Sequence, residues 1–166
     1  MFGELRYSER GASAVELAIS LTLLFYLLFG TIQFGIAYNR DQGISASARE
    51  GARVASVGAS EADVGTRVRA AQSLFDPADV LVKIDYSIDD GATWPGNQVV
   101  CDDASGMNKC TAATAPDPCG VAGLGSLIRV GATVPGGSGK YAITIPLWGN
   151  ADITYSAVGT FRCEQT

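Results

Sequence analysis

At 166 residues the chain has room for one domain plus an anchoring segment, and not for two full domains. Its formal net charge of −5, from 12 Lys+Arg against 17 Asp+Glu with no basic run, excludes the clustered cations that a nucleic-acid partner requires. There is no histidine and none of the four cysteines forms a C-x-x-C pair, so no catalytic group, metal site or cofactor is expected.

From Leu17 to Tyr38 run 22 residues without a charge. At ~1.5 Å of rise per residue such a helix crosses a hydrocarbon core of ~30 Å. A buried core helix is rarely apolar on every face over this length. A secretory signal has a shorter apolar region than this one, although Ser45-Ala46-Ser47-Ala48 imitates a cleavage site. The anchor is the better reading. Thr22 and Ser20 are expected to bond back to carbonyls one turn earlier, and Tyr38 sits where an interfacial aromatic belongs. Arginines flank the run on both sides, so charge does not orient it.

Glu16 stands at the start of this helix. A carboxylate within a bilayer costs ~2.5–3.5 kcal/mol on lenient scales, so a partner is expected if it is submerged. The competing reading places it at the headgroups, where it suits the helix dipole.

Beyond Tyr38 the apolar spacing of Ile44, Ala48, Ala52 and Ala55 continues the helix outward. Two readings of this small-residue face stand: a stalk approached closely by neighbouring helices, or a helix packing on its own domain. Gly58 is a stop signal, and Ser60 with Asp63 forms a capping box for a helix to about Phe75, with Pro77 blocking continuation.

Val80, Val82, Ile84, Tyr86 and Ile88 alternate with Leu81, Lys83, Asp85 and Ser87 as in a half-buried strand. Ser87, Asp89, Gly91, Thr93 and Trp94 match an S-x-D-x-G-x-T-W Asp-box. The physics is that of a hairpin turn: Asp89 accepts turn amides, Gly91 takes a positive φ, and Trp94 folds over the turn. A single copy without an arginine cluster does not make a sialidase, so the reading is structural. Residues 101–126 read as a long irregular segment needing a tether. Ile128, Val130, Ala132 and Val134 form a second strand, 136–139 a turn, 141–147 a further strand or buried crossing, and Ile153 to Phe161 the last strand.

Cys101, Cys110, Cys119 and Cys163 fit two disulfides in an oxidising compartment, which places the C-terminal region outside the cytoplasm. Three pairings are open. Proximity favours Cys101–Cys110, leaving Cys119–Cys163 to tie the loop to the final strand. The expected architecture is α+β: a single N-terminal transmembrane helix extending into a stalk, then a small disulfide-linked domain with a helix on an antiparallel sheet of about four strands. The boundaries are 1–11, 12–58 and 59–166.

The stretch Arg10-Gly11-Ala12-Ser13-Ala14-Val15-Glu16, followed by the apolar helix to Gly35, resembles the TadE/TadG family of tight-adherence (Flp-type) pilus minor pilins. Ala48-Arg49-Glu50-Gly51-Ala52-Arg53 and the terminal Arg162-Cys163-Glu164 resemble that family further, while Leu17, Thr22 and Gln33 depart from it. The resemblance implies a leader cleaved after Gly11 by a prepilin peptidase, leaving Ala12 as the new N-terminus. It also implies that Glu16, then the fifth residue, meets the freed amine of another subunit. The implied partners are pilin-like subunits, pilus assembly machinery and membrane lipid, and the implied location is the bacterial inner membrane or a surface filament. An anchored binding or adhesion module unconnected with pili is the alternative from another class.

Overall fold

The computed structural model describes residues 9–94, 99–101, 117–137, 139–145 and 149–164. One helix, α1 (Glu9–Ser56), runs without a break through the apolar stretch and the small-residue stretch that follows. Thr22 and Thr31 donate to the carbonyls of Ala18 and Leu27, both at 2.8 Å, so their hydroxyls do not interrupt it. It ends where Gly58 adopts φ 85°, a conformation costly for any residue with a β-carbon.

Ser60 then caps α2 (Glu61–Ala71) by accepting the Asp63 amide at 3.2 Å. The helix stops short of the expected Phe75. Gln72 turns extended, and its amide group donates to the Phe75 carbonyl and accepts from the Phe75 amide, substituting for the next helical turn. Pro77 opens a single 3₁₀ turn capped by Asp76.

The strands β1 (Leu81–Ser87), β2 (Val99–Cys101), β3 (Leu127–Val134) and β6 (Tyr155–Arg162) form one sheet in the order β2-β1-β3-β6, every neighbour antiparallel. Two short strands, β4 (Ile143–Ile145) and β5 (Gly149–Ala151), pair separately as a hairpin. The stretch read as irregular holds a helical turn, α3 (Pro118–Ala122), capped by Asp117. Ile88, expected to extend the first strand, lies beyond it and is exposed.

The core lies between the sheet and the outer half of α1. Val82, Ile84, Ile128, Val130, Ala132 and Val134 face Ile44, Ala48, Ala52 and Ala55, with Val64 and Val68 of α2 beside them. Of the two readings of the small-residue face, the structure therefore has it packed on the chain's own sheet. Size explains why. A β-carbon on Gly51 would collide with Val68 Cγ2 and come within 3.2 Å of Val130 Cγ1, so larger residues would push α1 off the sheet.

The Cys119–Cys163 disulfide joins α3 to the end of β6 across 44 residues, with 5.6 Å between the Cα atoms. The expected Cys101–Cys110 pair lies outside the described residues: Cys101 is placed only as the end of β2, and Cys110 falls in an undescribed segment.

Candidate assembly and anchoring helix

The two halves of α1 have opposite surroundings. Every residue from Gly11 to Ile32 is exposed, including Leu17, Leu21, Leu24, Phe25, Leu27 and Leu28. The outer half is the main wall of the core. Such a length of exposed apolar surface is unstable in water, and the helix is long and apolar enough to cross a membrane. Because α1 has no break, its exposed apolar half continues directly into the half that builds the core.

Gly11, Ala12 and Glu16 all lie on the exposed half. Gly11 has nothing within 4 Å of where a β-carbon would sit. Among the described residues, the sheet contributes none to this end of the molecule, and Glu16 is exposed.

The other expected residues gather in the domain. Ser87, Asp89, Gly91 and Thr93 close one turn. Ser87 Oγ donates to Asp89 Oδ1 at 2.6 Å and accepts the Gly91 amide at 2.9 Å, and the Thr93 amide donates to Asp89 Oδ1 at 2.9 Å. The hydrogen bonds that Asp89 accepts from the Ser87 hydroxyl first, then from the Thr93 hydroxyl and amide, hold its carboxyl down at about 2. Gly91 takes φ 89° with Trp94 packed over it. Trp94 also receives Arg129, whose guanidinium carbon lies 4.2 Å from the ring centroid. Arg129 in turn bonds Asp85 at 2.6 Å, its direct cross-strand partner in register. The turn is thus a brace for the β1 end of the sheet, tied to it through Trp94, Arg129 and Asp85.

Within the stretch Ala48–Arg53, Glu50 bonds Arg53 through both oxygens, each at 2.9 Å, and reaches Arg67 of α2 at 3.4 Å. The Arg53 hydrogen bonds hold Glu50 below the usual carboxylate range. The small residues of this stretch seat α1 on the sheet, and its charges clip α1 to α2.

Sequence reasoning missed two features. Gly159 faces inward on β6, and a β-carbon there would overlap the Ala48 backbone. A glycine on the core-facing parity of a strand is the available signal for such close approach. The second is the position of the β4–β5 hairpin alongside α1, for which no local pattern gives notice.

Neither a curated protein nor a solved structure matches the chain. The N-terminal part of the chain is similar to one known family: the family model described as TadE-like protein matches residues 11–53, from the residue preceding Ala12 to the last turn of the helix that builds the core.

Proposed function

We propose that the protein is a single-pass, membrane-anchored, minor pilin-like subunit for assembly of a tight-adherence pilus or secretion system. The carrying observation is that the TadE-like match covers both halves of α1, the exposed apolar half and the half locked into the domain. The family suggests a role in tight-adherence pilus assembly, and the continuous helix suits it, because the apolar end and the domain are joined by one unbroken helix.

On this reading a prepilin peptidase cleaves after Gly11, and Ala12 becomes the N-terminus. Glu16 then sets register by pairing with the amine of a neighbouring subunit, which offsets the desolvation of both charges. The role is structural and not catalytic, in keeping with a chain that has no histidine. The domain lies on the extracytoplasmic side of the bacterial inner membrane, a placement supported by the Cys119–Cys163 disulfide.

N-terminal sequencing of the chain purified from its native membrane tests the processing, with Ala12 expected as the first residue. The Glu16→Ala variant is expected to keep the Cys119–Cys163 domain folded while losing co-purification with other pilin-like subunits. A chain beginning at Met1 that remains solitary in the bilayer overturns the proposal and leaves an anchored binding or adhesion module.

A further inference from the structure

Gly131 stands in the middle of β3, on the face of the sheet turned away from α1. Glycine inside a strand weakens it, because it loses more chain entropy on folding and packs no side chain. Gly159 has a reason to be glycine, since the Ala48 backbone excludes a β-carbon there. Gly131 has none within the chain. A β-carbon on it would make only ordinary contacts, 3.9 Å from Lys83 Cβ and 4.0 Å from the Ala157 carbonyl oxygen, and its φ is not positive.

The missing side chain leaves a cleft of about 200 Å³. Strand register places its walls. Lys83 lies directly across from Gly131 on β1 and Val158 directly across on β6, while Arg129 and Thr133 are its same-face neighbours along β3. Ser156 stands opposite Thr133.

One end of the cleft is cationic, in a chain whose net charge is −5. Arg129 is held in place there: it donates to the buried Asp85 at 2.6 Å and lies over Trp94 at 4.2 Å. The other Asp85 oxygen is buried without a hydrogen-bond partner, so Arg129 cannot swing away without stranding the whole carboxylate. Lys83 is exposed and has no ion pair among the described residues. Two cations against one buried acid leave a net positive charge, to which an anion is the complementary guest. The hydroxyls of Thr133 and Ser156 stand one same-face step beyond Gly131, about 7 Å along the strands. They too have no hydrogen-bond partner among the described residues. Val158, 59% exposed, adds an apolar wall.

A carboxylate side chain from another protein would meet the cations and leave the hydroxyls unused. A pyranose ring bearing a carboxylate reaches both ends, with its C–H face against Val158. We propose that the Gly131 cleft binds an acidic sugar of the uronic acid class. Its carboxylate sits on Lys83 and Arg129, and its ring hydroxyls bond Thr133 and Ser156. The cleft lies wholly in the domain, so the inference does not depend on the pilus reading.

The test titrates galacturonate into the isotope-labelled full chain, held in an amine-oxide detergent that carries neither sugar nor phosphate, and follows backbone amides by NMR. Saturable shifts are expected at Lys83, Gly131 and Thr133, with Asp63 on α2 unmoved. Lys83→Gln should weaken binding about tenfold or more, the value of one charge-assisted contact. Gly131→Val should abolish binding without lowering Tm, because its side chain fills the cleft and suits a strand better than glycine. Neutral galactose and acetate should each bind at least about tenfold more weakly than galacturonate. Absence of saturable shifts, or binding left unchanged by Lys83→Gln, overturns the site, and so does binding that persists in Gly131→Val. Acetate or inorganic phosphate binding as tightly as galacturonate overturns the sugar assignment.

Discussion

Gly159 on β6 meets the backbone of Ala48 on α1 with no space for a β-carbon: one placed there would overlap the Ala48 carbonyl and lie 2.8 Å from Arg49 Cα. The obstruction is backbone, which cannot rotate aside as a side chain would. Gly159→Ala is therefore expected to destabilise the domain by roughly 1–3 kcal/mol, the usual cost of overpacking. Thermal unfolding of the full chain in detergent, followed by circular dichroism, should show a fall in Tm of at least several degrees. Gly35→Ala, in open space on the exposed half of the same helix, should leave Tm unchanged.

Removing the Cys119–Cys163 bond tests what holds α3 against the sheet. Closing a loop of this length restricts the unfolded chain by roughly 4 kcal/mol in the chain-entropy treatment. The Cys119→Ala/Cys163→Ala double variant should lose about 2–4 kcal/mol in urea unfolding. An unchanged midpoint would show that the backbone hydrogen bonds of that corner, from the Cys163 amide to the Ser126 carbonyl at 2.8 Å and from the Gly125 amide to the Cys163 carbonyl at 3.1 Å, hold it without the disulfide.

Arg129 and Asp85 form a pair in which the acid is only 5% exposed and the base partly open to solvent. Taking away the cation leaves the buried Asp85 carboxylate without its ion-pair partner. Arg129→Ala should cost about 2–3 kcal/mol, below the full penalty for a buried pair because solvent reaches the arginine side. Double-mutant cycles with Asp85→Ala would isolate the coupling. The same variant uncovers Trp94, so its emission should shift to the red.

The Asp89 turn predicts an acid transition. The folded carboxyl titrates at about 2, below its ordinary value of 3.8, so the native turn binds fewer protons than the unfolded one. Its contribution is fully present above pH ~4 and is lost as the pH falls through about 2. Amide chemical shifts of Gly91 and Thr93, followed from pH 5 to pH 2, should report the loss of both turn bonds. Asp89→Asn should make them insensitive across that window.

Much of the domain was legible in the residue order because its signals are local. Alternation from Ile128 to Val134 requires only that one strand face be buried, and all four residues are. Gly58 and Ser60 mark the end of one helix and the start of the next through backbone chemistry alone. Hydropathy identifies the exposed half of α1 without reference to any neighbour.

What the residue order left open was settled by contacts between distant positions. The spacing of Ala48, Ala52 and Ala55 describes a narrow helix face equally well whether another helix or a sheet lies against it. The sheet lies against it, because β3 and β6 bring Val130 and Gly159 to that face. Likewise Cys119 has no local reason to choose Cys163; α3 and the end of β6 are brought together by strand order. The hairpin beside Gly30 is the clearest case, since its level on α1 depends on Tyr141 docking near Arg40, about a hundred residues away. Local periodicity decides what each segment is, and the path of the chain through the sheet decides what each segment touches.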